Sequence, residues 1–214
     1  MNTEELMRRI TAKVMDKIKE FERFRVPIGV SNRHVHVTKE DLETLYGPGY
    51  ELTCKKELGQ PGQFAANETV TLRGPKGEFK KVRILGPLRD KSQVEISKTD
   101  GFRLGVKSPV RESGHLDGTP GIELVGPKGV VKMDSGTIVA LRHIHMTPQQ
   151  AQSVGVKNGD VVDVETFGER AGVLGNVVIR VSPKFDLEMH IDLDEANACS
   201  LSNKDYVVIK PQEN

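Results

Sequence analysis

A hexapeptide that occurs twice constrains this chain more than any other feature. Arg33-His34-Val35-His36-Val37-Thr38 returns as Arg142-His143-Ile144-His145-Met146-Thr147. The chain holds 6 histidines in 214 residues, and the two copies take four of them. In an extended strand, residues i and i+2 project from one face. Each copy therefore sets two imidazoles side by side, at a spacing that can chelate a metal ion. One His-x-His alone can be no more than the surface of a solvated strand. Two copies in one Arg-His-aliphatic-His-x-Thr frame point to an internally duplicated fold with two metals, or one shared centre.

The surroundings of the two copies also match. VPIGVS is a short apolar strand leading into the first. TKEDLETLYG follows it as a short helix begun by Thr38 and closed by Gly47. TPQQAQSVGV follows the second copy, begun by Thr147 with Pro148 at the first helical position. Alternating segments then read as strands: ETVTLRG, FKKVRILG and QVEIS in the first half; DVVDVET, GNVVIRV and LEMHIDL in the second. GPKG at 74–77 and 126–129 marks tight turns. The pattern predicts a mainly β chain with short helices after the histidine motifs only, folded as two small barrels or sandwiches.

Residues 3–23 read as an amphipathic helix capped by Thr3, with Leu6, Ile10, Val14, Ile18 and Phe21 on one stripe. The stripe either packs on the body of the protein, the reading we favour, or docks a detachable helix on a partner or shell. A net charge of +1 predicts no overall attraction to nucleic acid or membrane. With aromatics at 5% and no Trp, the chain lacks a stacking platform for single strands. No apolar run approaches the roughly 20 residues that span a bilayer. Cys54 and Cys199 make no disulfide framework and read as small buried hydrophobes, which together with the lack of a signal peptide suits a reducing cytosol.

Aligning the last strand of each half sets Gln93-Val94-Glu95 against Glu188-Met189-His190. Glu95 and His190 are both ordinary metal ligands. The inferred sets are His34, His36 and Glu95, and His143, His145 and His190. Three protein ligands leave a coordination position open, as catalytic zinc sites do. Arg89, six residues before Glu95, is placed to grip a phosphate bidentately. Arg83 and Lys76 add positive charge for a larger phosphorylated ligand. His115 falls in a loop-like segment and reads as exposed.

SNRHVHVT, GPLRDKSQVEIS, ALRHIHMT and LEMHIDLDEANA, in that order, resemble the motifs of the PduL-type phosphotransacylase (phosphate propanoyltransferase) family. The resemblance runs from about Val26 to Ile209. It implies two β-barrel domains with a two-zinc active site in the cleft between them. It divides the chain into 24–32 plus 141–210 as one domain and 33–140 as the other, with 1–23 a helix that can serve as a targeting segment. One zinc takes His34, His36 and Glu95, and the other takes His143, His145 and His190; cobalt or another divalent ion would suit the same ligands. By the same resemblance, Arg89 would bind phosphate, and Val30, Ser31, Asn32, Lys76, Arg83 and Asn197 would contact coenzyme A.

The implied reaction joins a propanoyl or acetyl group from coenzyme A to phosphate, reversibly. No Ser-His-Asp or Cys-His pairing stands at matching positions, so phosphate is expected to attack directly without an acyl-enzyme. Implied partners are acyl-CoA, inorganic phosphate and a second copy of the chain. The implied setting is the cytoplasm or a bacterial microcompartment, with shell or core proteins met through the first helix, in propanediol degradation or acyl-CoA fermentation. The rivals are a two-zinc thioester or phosphoester hydrolase, and a metal-stabilised scaffold, which would need closed four-ligand sites.

Overall fold

The computed structural model describes residues 2–210. A long helix, α1 (Thr3–Phe24), runs directly into β1 (Arg25–Ser31). Then come β2 (His34–His36), α2 (Lys39–Tyr46), β3 (Cys54–Glu57), β4 (Phe64–Arg73), β5 (Glu78–Gly86), β6 (Gln93–Glu95) and α3 (Lys98–Leu104). Four short strands follow, β7 (Val110–Arg111), β8 (Glu123–Val125), β9 (Val130–Lys132) and β10 (Thr137–Ala140). The second half repeats the order with β11 (His143–Met146), α4 (Pro148–Val154), β12 (Val161–Glu165), β13 (Val173–Val181), β14 (Glu188–Asp192), α5 (Leu193–Cys199) and β15 (Tyr206–Ile209).

The mainly β reading holds, in two barrel-like sheets. One is a closed six-stranded barrel in the order β1-β14-β11-β13-β12-β15. The other is a nine-stranded curled sheet in the order β7-β10-β6-β2-β5-β4-β8-β9, with β3 paired to β4. Although β1 comes first in the sequence, it belongs to the barrel of the second half, parallel to β14 and antiparallel to β15. The chain then crosses to the other sheet at Asn32–Arg33, and crosses back at Leu141–Arg142 between β10 and β11. Both crossings directly precede a His-x-His pair.

Each sheet closes over its own core. Ile144, Met146, Ile179, Met189 and Ile191 fill the barrel, together with Val26 and Ile28 from β1. Val35, Leu42, Leu45, Leu72, Ile84 and Leu124 fill the curled sheet. These large aliphatics are almost fully buried, each worth roughly 1.5–3 kcal/mol of transfer free energy. The GPKG segments form the expected turns, with Gly74 N donating to Gly77 O and Gly126 N to Gly129 O, both at 2.9 Å.

Several expectations need correcting. The cap of α1 is Asn2, whose side chain accepts from Glu5 N, and not Thr3. The stripe on α1 is not packed away: Leu6, Ile10, Val14 and Ile18 are each 42–53% exposed, and the side chain of Phe21 lies outside the described residues. Cys54 is exposed, because β3 pairs on one side only and every one of its residues faces solvent; Cys199 is buried. Helices are not confined to the segments after the histidine motifs. Each third-ligand strand also runs into a seven-residue helix, α3 or α5. Both have a capping box, Ser97 with Asp100 and Asp192 with Glu195, which fixes a short helix that apolar periodicity does not reveal. Among the described residues, no helix is long and apolar enough to cross a membrane.

Candidate metal centres and the cleft

Strand register brings each ligand set together. In the curled sheet β2 lies antiparallel to β6, with His34 directly opposite Glu95. In the barrel β11 lies antiparallel to β14, with His143 directly opposite His190. Residues so paired have Cβ atoms about 4.5–5.5 Å apart. The second histidine of each motif adds a third side chain on the same face. The donor atoms of His34, His36 and Glu95 lie within 4.8 Å of one another, and so do those of His143, His145 and His190. Rings of His34 and His36 are 5.0 Å apart, and those of His143 and His145 are 4.7 Å apart. His143 stacks nearly parallel on His190 at 5.1 Å.

The tautomer of the first histidine is set the same way in both halves. His34 Nδ1 lies 2.8 Å from Asn32 O, and His143 Nδ1 lies 2.8 Å from Leu141 O. A carbonyl only accepts, so Nδ1 carries the proton and Nε2 is left with a lone pair. His34 Nε2 stands 3.4 Å from Glu95 Oε2. Other ring nitrogens are buried without a hydrogen-bond partner: His36 Nδ1, both nitrogens of His145, and His190 Nε2. Glu188 Oε2 lies 3.0 Å from that last atom, and its carboxyl is held below the usual range first by His190. Buried polar atoms rarely go unpaired, and a divalent ion in each set would take one nitrogen from each of its rings.

Protonation suits the same role. Burial, with the neighbouring imidazoles, lowers His36 to about 3, His143 to about 4 and His145 to about 2. All three are neutral near pH 7, the state in which imidazole binds metal. Burial also acts against charge on Glu95, but the attraction of His34, His36 and Arg89 outweighs it and holds the carboxyl well below its usual range. His34 is raised, since Glu95 beside it more than offsets its own burial. The residues thus fit two divalent ions, one in an imidazole–carboxylate set and one in an all-imidazole set.

Both sets open onto one cleft of about 780 Å³ between the sheets. Val30, Ser31, Asn32, Arg83 and Arg89 line it. Arg83 donates from Nη1 to Ala66 O and Asn67 O, at 2.9 Å each. Lys76 and Asn197 are not among the lining residues. Lys76 sits in the Gly74–Gly77 turn with its chain over Gly105. Asn197 is exposed on α5, its carbonyl accepting from Arg170 Nη1 at 3.1 Å. Arg89 lies in the loop after β5, not on the strand of Glu95. Its Nη1 donates to Ser113 Oγ at 3.2 Å, and burial lowers its pKa. Ser113 Oγ also bonds Glu95 Oε1, at 3.0 Å, so Arg89 and the first ligand set share a partner. His115 is exposed beside Glu112.

Sequence reasoning missed three groups in the cleft. Arg180, on β13, lines it and adds a second guanidinium close enough to disfavour charge on Arg89. It is placed there by the parallel pairing of β13 with β11, which sets it directly opposite His145. Glu188 is cradled by two glycines: a Cβ on Gly29 would stand 2.8 Å from its Cδ, and one on Gly59 would stand 2.7 Å from its Oε2. Gln60, buried in the β3–β4 connection, reaches across to the barrel by donating to Asp186 O at 3.1 Å and accepting from Asp186 N at 3.3 Å.

Residues 27–202 match the family model described as phosphate propanoyltransferase. A phosphate propanoyltransferase of Rhodopseudomonas palustris is 58% identical over 186 residues, covering 87% of this chain and 82% of its own. One from Thermotoga maritima is 54% identical over 206 residues, covering 94% of this chain and 98% of its own. One from Salmonella typhimurium is 52% identical over 200 residues, covering 93% of each. The match spans both ligand sets and the cleft between them, and the chain belongs to the phosphate propanoyltransferase family of acyltransferases.

Proposed function

We propose that this protein interconverts a short acyl-CoA and phosphate with the acyl phosphate and coenzyme A, propanoyl being the first acyl group to test and acetyl the second. The observation that carries this reading is the convergence of two three-donor sets and Arg89 on one cleft. His34, His36 and Glu95 would hold one divalent ion, and His143, His145 and His190 the other. Zinc suits both donor sets, with cobalt a workable substitute. The bound ions would supply Lewis acidity at the thioester carbonyl and a soft partner for the leaving thiolate.

The chain's own residues do the positioning. Arg89 grips phosphate from its half-buried loop and aims an oxygen at the carbonyl carbon; Ser113 holds the guanidinium in place. Val30, Ser31, Asn32 and Arg83 contact coenzyme A along the cleft wall, with Lys76 and Asn197 further along the ligand. Phosphate attacks the thioester directly, with no acyl-enzyme. The division into a domain of 24–32 plus 141–210 and a domain of 33–140 belongs to the same proposal, as do a homodimer, a cytoplasmic or microcompartment setting, and α1 as the segment that meets shell or core proteins.

Propanoyl-CoA and phosphate, quenched with hydroxylamine, should yield more propanoyl hydroxamate than a phosphate-free control, in which only the thioester can react; the excess reports the acyl phosphate. Labelled propanoyl-CoA without phosphate should leave no label on the protein. Covalent label would overturn direct attack, and free propanoate without that excess would overturn the transferase reading in favour of hydrolysis.

A further inference from the structure

The arginine of the repeated frame, Arg33 or Arg142, contributes no ligand, yet its surroundings are duplicated in detail. Arg33 forks onto Asp100, Nε to Oδ2 at 2.9 Å and Nη2 to Oδ1 at 2.7 Å. Arg142 Nε meets Glu195 Oε1 at 2.8 Å. Asp100 and Glu195 hold the same position, the third residue of the helix that follows the third-ligand strand. Each also accepts from the backbone of its own helix cap: Ser97 N to Asp100 Oδ2 at 3.4 Å, and Asp192 N to Glu195 Oε2 at 3.0 Å. Those caps stand two residues beyond Glu95 and His190. Each carboxylate thus ties a point one residue before the first ligand to a point two residues after the third.

The tie also reaches the tautomer. The carbonyls that accept from His34 Nδ1 and His143 Nδ1 belong to Asn32 and Leu141, the residues just before the two arginines. Anchoring the arginine fixes the turn, the turn fixes the carbonyl, and the carbonyl keeps Nε2 free. Partners of this kind outside the ligand shell commonly govern metal affinity by about 10- to 100-fold. Asp100 is buried and the arginines about three-quarters buried, so these contacts are far less screened than a surface pair. A local origin for the pairs, such as sequence neighbours meeting by chance, is excluded for the first, whose partners are 67 residues apart.

We infer that Arg33–Asp100 and Arg142–Glu195 are positioning pairs, each setting the affinity of one metal centre independently of the other. The inference rests on the two-centre reading above. The experiment challenges the zinc-loaded full-length protein with a chromophoric zinc chelator and counts the ions retained per chain. Arg33→Gln should release one ion about tenfold more readily and leave the other as in the wild type. Arg142→Gln should do the same, and the double variant should release both. Arg33→Lys, which keeps the charge but not the fork, should fall between, and serves in place of Arg33→Gln if that variant fails to fold. Circular dichroism of the zinc-loaded forms should be unchanged, so that loss of an ion is not loss of the fold. Variants that retain both ions like the wild type, or single variants that lose both equally, would overturn the inference. A wild-type chain that binds fewer than two ions would instead overturn the two-centre reading itself.

Discussion

The two halves of this molecule share a plan and differ in two places. Each runs through an arginine, a His-x-His strand, a threonine-capped helix, a third-ligand strand and a boxed helix. The second half closes into a six-stranded barrel because it borrows β1 from the start of the chain. The first half, having given that strand away, stays an open, curled sheet with the exposed β3 at its side. The other difference is chemical. The open half has a carboxylate among its three candidate donors, and the closed half has only imidazoles. A duplicated fold has kept the frame that places three donors and changed the charge at one of them. With the same divalent ion in each set, the centre beside Glu95 would have one unit less net positive charge than its counterpart.

The comparison breaks most severely if one half is only structural. His34→Ala and His143→Ala should each lower kcat by about 100-fold or more, the scale for losing a preorganised electrostatic group. A variant in either half with more than a tenth of wild-type turnover would make that half a bystander. Arg89→Ala comes next. Losing a charge-assisted grip worth about 1.5–3 kcal/mol should raise the KM for phosphate some tenfold to 100-fold, with two ions still bound by elemental analysis. Loss of an ion in that variant would contradict the phosphate-gripping role.

A smaller effect sharpens the charge difference. Glu95→His makes the open half resemble the closed one, and should keep two ions while slowing turnover about tenfold, or ~1.4 kcal/mol of barrier. Unchanged kinetics would show that the charge difference is idle. Smallest is the removal of residues 1–19, whose apolar stripe is half exposed. Stability by denaturant titration should change by no more than about 0.5 kcal/mol, and kcat should not change. A larger drop would mean that α1 is part of the catalytic body.

What could be read from the sequence follows from what was repeated in it. The His-x-His pairs lie on strands and their capped helices follow, as period-two alternation and threonine caps imply. Glu95 and His190 needed only the alignment of two strands, and they do stand opposite His34 and His143. The helices α3 and α5 escaped because seven residues show too little periodicity, although S-K-T-D and D-L-D-E carry their capping boxes. Strands of two to four residues, such as β7 to β10, escaped for the same reason. Arg180, Glu188 and Gln60 reach the cleft only through pairings between distant segments, and no local motif announces those. Cys54 is exposed although cysteine is usually buried, because an edge strand exposes whatever it carries.

The most direct test follows thiol release from propanoyl-CoA by the purified protein, with and without phosphate, before and after treatment with a strong chelator. Release that requires phosphate, stops on chelation and returns with zinc is the predicted result. Release that proceeds without phosphate, or that persists once both ions are gone, would contradict the account.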